Sequence, residues 1–152
     1  MTDDESKGEQ RMEQGIAQME HLKNQIDTLT LQKDSLTSLL LDQDRTIQVL
    51  EAMKEPSSER FLLPMGGQVF VNARIDRMDV CLVDQGAGVL LEKSIPEAIE
   101  QVKERQERIK VAVSGMEKTI QQMISQYQEI ASMTKELYDQ QMSAGPGPEK
   151  TF

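Results

Sequence analysis

A chain of 152 residues that is 28% charged but only 3% aromatic, with no tryptophan, has the length of one domain without the bulky side chains of a thick core. Its formal net charge of −9 at pH 7 opposes binding to nucleic acid or an anionic membrane surface, because phosphate is held by lysine and arginine. A single cysteine, Cys81, leaves no internal disulfide, and no apolar run reaches the ~18 to 20 residues of a membrane span or follows a basic stretch as in a secretory signal; both point to a reducing cytoplasm.

Residues 1–10 are polar and read as disordered, and a heptad pattern follows over 11–55. Alternating steps of three and four from Met12 to Leu50 visit twelve positions, of which nine are apolar; Gly15, Lys33 and Gln43 are the exceptions. More than three sustained heptads predict a coiled-coil helix. Pro56, Ser57 and Ser58 end it.

The segment 60–93 is β-branched and punctuated by glycine. Leu62 to Met65, Gln68 to Ile75, Val80 to Val83 and Val89 to Glu92 read as four short strands, separated by Gly66-Gly67, Asp76 to Asp79, and Gly86-Ala87-Gly88. They predict two β-hairpins, with Pro64 at an edge or strand end because it cannot donate to a ladder. Small isolated hairpins are marginal in water, so these strands must find sheet partners in another chain.

The second helix is predicted over 94–141. Ser94 followed by Glu97 forms a capping box, and Pro96 sits in the first turn, where its missing N–H costs little. The heptad count from Ile95 visits fourteen positions, of which eleven are apolar; Gln106, Thr134 and Gln141 are the exceptions. The segment 142–152, rich in glycine and proline, reads as a disordered tail.

Two long helices without a third cannot close a compact core, so their stripes pair as an antiparallel hairpin with facing residue numbers summing to about 149. That register sets Leu50 near Ile99, Leu40 near Ile109, Leu29 near Ile120, Leu22 near Tyr127 and Met12 near Leu137. The fold class is therefore α+β, a long two-helix coiled coil with two β-hairpins between the helices, whose strands complete a sheet between subunits.

No residue pattern supports catalysis or a bound cofactor or metal. His21, the only histidine, stands beside seam residue Leu22 with no partner to activate, and Cys81 lies among Val80, Leu82 and Val83, where a thiol serves as a small hydrophobe. The run from Gly86 to Ser94 fails as a phosphate loop, because Glu92 precedes Lys93 and a strand separates the glycines from the helix. Ten methionines are conspicuous, and Met12, Met19, Met123, Met133 and Met142 fall in the parts of the helices far from the strands. Ile16, Met133 and Tyr138 take e and g positions beyond what a two-helix seam uses. Flexible, polarizable side chains on such a surface suit weak binding to many partners.

The order helix, paired hairpins, helix resembles the alpha class of prefoldin subunits, archaeal in type. The specific part of the likeness is Phe61-Leu-Leu-Pro-Met-Gly, Val69-Phe-Val-Asn-Ala-Arg-Ile, Val80-Cys-Leu-Val-Asp-Gln-Gly-Ala-Gly and Val89-Leu-Leu-Glu-Lys-Ser, in the family's order. The resemblance implies a hexamer of two alpha-class and four beta-class subunits joined in a β-barrel. It implies a cytoplasmic, ATP-independent holding chaperone that captures nonnative proteins between coiled-coil tips and passes them to a group II chaperonin. On this reading Met12, Ile16, Met19, Tyr127, Ile130, Met133, Leu137 and Tyr138 contact the client. Leu62, Val69, Val71, Ile75, Val80, Leu82, Val89 and Leu91 carry assembly. A filament of prefoldin-like copies and a coiled-coil scaffold or adaptor are the alternatives.

Overall fold

The computed structural model describes residues 2–55 and 60–145. Its elements are α1 (Thr2–Lys54), β1 (Arg60–Gly66), β2 (Val69–Arg74), β3 (Val80–Asp84), β4 (Leu90–Ser94) and α2 (Ile95–Ser143). Pro56, Ser57 and Ser58, expected to terminate the first helix, lie outside the described residues, as does the tail from 146.

One expectation is corrected at the start of the chain: α1 extends back to Thr2, so residues 2–10, read as disordered, are helical. Asp3, Asp4 and Glu5 in the first turn explain the extension, because carboxylates there favour the positive end of the helix dipole. Strand limits also move by one or two residues. Gln68 and Val89 belong to turns, Ile75 lies beyond β2, and β4 runs on to Ser94.

The chain divides into two units, Met1–Ser35 with Val113–Phe152, and Leu36–Ala112. In the first, α1 and α2 pack antiparallel in the expected register. A Cβ on Gly15 would collide with the Thr134 hydroxyl, and one on Gly8 would lie 2.8 Å from the Gln141 amide nitrogen. Both pairs of residue numbers sum to 149, and each sets a glycine against a seam exception of the other helix, so the polar layers match small with large.

In the second unit the core is one cluster of Leu50, Val83, Ile95, Ala98 and Ile99, with Ile47, Met53 and Cys81 packed against it. Leu50 and Ile99 meet as their numbering requires. A polar layer lies farther along the same pair of helices: Gln106, 7% exposed, donates from Nε2 to Asp44 Oδ1 at 2.8 Å, while Gln43 Oε1 is buried with no partner among the described residues. The two glutamines are the seam exceptions whose numbers again sum to 149.

The strands form two separate antiparallel pairs, β1 with β2 and β3 with β4. In the first, Gly66 pairs with Val69, leaving Gly67 (φ 56°) and Gln68 (φ 62°) as a two-residue turn whose left-handed conformation matches strand twist. A bulge between Pro64 and Gly66 leaves Met65 without an opposite residue. Pro64, expected at an edge or strand end, lies within β1 opposite Phe70, and β1 is an edge strand because its sheet has only two strands. In the second hairpin, Asp84 Oδ1 accepts from Gly86 N at 2.8 Å, and Val89 N donates to Gly86 O at 3.0 Å across Ala87 and Gly88. Ser94 closes β4 opposite Val80 and caps α2 at once. Its Oγ accepts from Glu97 N at 3.3 Å while Glu97 Oε2 accepts from Ser94 N at 3.2 Å, which is the capping box read from sequence.

Candidate functional site

The residues expected to touch clients all fall in the unit formed by the start of α1 and the end of α2. They divide in two. Met12, Met19, Tyr127, Ile130 and Leu137 are half-buried at seam positions, whereas Ile16, Met133 and Tyr138 are exposed at 56%, 51% and 54%. The open three sit at flanking positions e and g, where a two-helix seam leaves side chains uncovered. Met142 is exposed as well.

Two shallow troughs run along one flank of α1 in this unit. One is lined by Ala17, Gln18, His21, Leu22 and Ile130, and the other by His21, Asn24, Leu29 and Met123 among others. Their floors are seam residues of both helices. The walls are uncharged, which sequence reading for apolar contacts passed over.

The residues expected to carry assembly lie in the other unit. Leu62, Val69, Val71, Leu82, Val89 and Leu91 are exposed, and Ile75 and Val80 are half-buried. Register assigns their faces. In β1 and β2, Phe61 opposes Ala73 and Leu63 opposes Val71, so one face of the hairpin is wholly apolar. Leu63, Met65, Phe70 and Leu90 are as exposed as the residues singled out, and period-two alternation in Val69-Phe70-Val71 was the signal that could have found Leu63 through its partner.

The two hairpins differ in attachment. Val83 of β3 is buried in the cluster with Leu50, Ile95 and Ile99, while its neighbour Leu82 points away and is 65% exposed. The β3–β4 turn is also tied to α2 by reciprocal hydrogen bonds between the Gln85 and Gln101 amides at 3.3 and 3.0 Å, and by Arg105 donating to Asp84 O. Arg77 bridges Asp79 at 3.3 Å and Glu92 at 3.1 Å; its hydrogen bond to Asp79 holds that carboxyl below the usual range. In β1 and β2, by contrast, every residue is exposed save half-buried Phe61 and Ala73. Two-stranded sheets have only edges, and an edge bearing exposed valine, leucine and phenylalanine is a template for another strand.

Cys81 is a free thiol packed at the core margin, and burial pushes its pKa up. A protonated, partly buried thiol is a poor nucleophile. Among the described residues no helix is long and apolar enough to cross a membrane, and no group of three or more His, Cys, Asp or Glu side chains is arranged to hold a metal ion.

The Prefoldin family model, a prefoldin subunit, matches residues 17–140, which take in all four strands and most of both helices. The chain belongs to the prefoldin family. Prefoldin subunit alpha of Archaeoglobus fulgidus is 31% identical over 123 residues, 80% of this chain and 90% of that protein. Prefoldin subunit alpha of Nitrosopumilus maritimus is 21% identical over 140 residues, 92% and 97% of the two chains. Among solved structures, a filamentous PFD from Methanocaldococcus jannaschii matches with a TM-score of 0.51 at 18% identity, covering 81% of this chain and 97% of the other. The order of helix, paired hairpins and helix is thus the prefoldin fold, and membership makes this chain a subunit of a chaperone family.

Proposed function

We propose that this chain is the alpha-class subunit of a cytoplasmic, ATP-independent holding chaperone, assembled with beta-class subunits through its hairpins and capturing nonnative proteins at its coiled-coil tip. The observation that carries this reading is the division of exposed apolar surface. One set, Leu62, Val69, Phe70, Val71 and Leu82 among it, lies on short strands with open edges, and another, Ile16, Met133 and Tyr138, lies on the helices in the other unit. Open strand edges suit permanent pairing with other strands, whereas exposed side chains on helical flanks suit weak, repeated contact with unfolded chains. Two copies with four beta-class subunits, closing the strands into a barrel and delivering clients to a group II chaperonin, is the arrangement the prefoldin family suggests. Holding an unfolded chain needs no nucleotide and no catalytic group, since binding the unfolded state is itself the work. Affinity then comes from several weak contacts acting together.

The test is reconstitution with a beta-class prefoldin subunit, mass measurement, and suppression of aggregation of a chemically denatured client. A discrete hetero-oligomer that suppresses aggregation without ATP is expected. An assembly without protective effect would refute the chaperone reading. Removing residues 1–20 and 130–152 should abolish protection while leaving the number of subunits in the oligomer unchanged.

The likeness to a filamentous PFD favours one alternative, in which copies of this chain pair head to tail through the same hairpins. Light scattering of the purified chain alone separates the two. Growth into long polymers supports the filament, and small discrete species support the hetero-oligomer.

A further inference from the structure

On α1 the two flanks of the seam differ in charge. Glu13, Glu20, Asp27 and Asp34 recur every seventh residue along one side, all exposed. On the other side Gln18, His21, Gln25, Thr28, Gln32 and Ser35 follow one another at steps of three and four, all exposed, with no carboxylate, lysine or arginine among them. In a chain that is 28% charged, this is a long neutral ridge. It forms the wall of the two troughs described above, whose floors are Leu22 with Ile130 and Leu29 with Met123.

The ridge's polar groups are largely unspent. The Thr28 and Ser35 hydroxyls donate to the carbonyls of Asn24 and Leu31 at 2.9 and 3.0 Å, but the amides of Gln18, Gln25 and Gln32 have no hydrogen-bond partner among the described residues. A carboxamide offers both donors and an acceptor, so it can meet a peptide N–H or C=O equally. Gln18, Gln25 and Gln32 stand ~10.5 Å apart along the helix, at 1.5 Å per residue. Roughly three residues of extended chain, at 3.3 Å each, span that interval.

We infer that this flank of α1 binds extended, uncharged segments of nonnative polypeptide through their main-chain amides, with small apolar side chains seated on Leu22, Ile130, Leu29 and Met123. The inference rests on the chaperone reading above and specifies its ligand. An extended segment has unpaired main-chain groups for the glutamines to meet, whereas a folded helix has already satisfied its own. A neutral wall beside an acidic one also admits neutral segments without desolvating a carboxylate. Recognition through the main chain is independent of side-chain sequence, as a binder of many unfolded proteins requires.

The experiment uses the full chain reconstituted with a beta-class subunit and compares two variants of equal charge change. Gln18→Glu/Gln25→Glu/Gln32→Glu adds three negative charges to the neutral ridge, and Lys23→Glu/Thr30→Glu adds the same to the opposite flank. The first is expected to weaken protection of a denatured client five- to tenfold, and the second to stay within twofold of wild type. As a second measurement, a fluorescent uncharged extended peptide should bind wild-type assembly at least fivefold more tightly than the same peptide N-methylated at alternate residues. Equal effects of the two variants, or equal binding of the two peptides, would overturn main-chain recognition on this flank while leaving the chaperone reading intact. If wild-type assembly protects no client, both fall. If a ridge variant fails to assemble, the peptide comparison on wild type decides alone.

Discussion

Gly15 shows how one residue can set the approach of two helices. It is buried in the seam, where a larger residue would be expected, and the space its side chain would fill is taken by the Thr134 hydroxyl and methyl. Alanine is better than glycine in a helix by about 1 kcal/mol, so Gly15→Ala alone would be stabilising were the site open. Contact with Thr134 reverses that sign. We expect Gly15→Ala to lower the thermal midpoint of the reconstituted assembly and Gly15→Ala/Thr134→Ala to restore it to wild type or above, a rescue expected of two side chains in contact. Equal midpoints for all three proteins would show that the seam yields at this layer. Cys81 gives a second residue-scale prediction, because burial holds its thiol protonated to higher pH than in a peptide. Alkylation of the native protein near neutral pH should run several-fold slower than that of an unstructured cysteine peptide, and the two rates should converge in denaturant. The heptad exceptions were legible as exceptions. The register summing to about 149 already sets Gln43 against Gln106 and Gly15 against Thr134, but the hydrogen bond from Gln106 to Asp44 was not legible, because Asp44 lies off the seam positions the count visits.

At the scale of elements, the start of α2 was readable almost completely, since a capping box is a local device whose geometry is fixed by four adjacent residues. Ser94→Ala removes the side-chain oxygen that satisfies Glu97 N, and about 1 kcal/mol of stability should go with it, seen as a lower midpoint in thermal melts with unchanged oligomer mass. The polar layer around Gln106 is expected to behave oppositely. Gln43 Oε1 is buried without a partner, so Gln43→Leu should raise stability by about 1 kcal/mol, while Gln106→Leu gains less because it releases Asp44 from a hydrogen bond. Polar seam residues of this kind often fix alignment at a cost in stability. Strand limits were less legible than helix limits. Gln68 and Val89 carry strand-like neighbours, and only the left-handed turns beside them, at Gly67-Gln68 and at Ala87-Gly88, exclude them from the ladders. Alternation did separate Leu82 from Val83 by face. Which face meets the helices depends on Leu50 and Ile99, far away in sequence, and so could not be read locally.

For the whole molecule, the two hairpins differ in how firmly their own chain holds them. β3–β4 is docked through Val83 and the Gln85–Gln101 and Arg105–Asp84 contacts, whereas β1–β2 presents Leu62, Val69, Phe70 and Val71 with no cover from its own chain among the described residues. Charged substitutions should therefore part company by site. Val69→Asp/Val71→Asp is expected to leave helix content by circular dichroism near wild type but abolish the discrete oligomer in light scattering, while Val83→Asp should reduce both. Oligomers of wild-type mass from the β2 variant would remove the assembly role of that strand. Two hairpins were foreseeable from the strand and turn pattern, but the inequality of their attachment was not.

β4 ends and α2 begins with nothing between them: Ser94 pairs with Val80 in the ladder, and Ile95, the next residue, is already helical and donates its N–H to Asp79 O at 3.1 Å. Such a weld has no slack. A single residue inserted after Lys93 would turn the side chains that open α2, Ile95, Ala98 and Ile99 among them, by about 100° relative to β4, at 3.6 residues per turn. The junction acts as a keyed coupling, clocking the buried face of the first turns of α2 to the hairpin that precedes it.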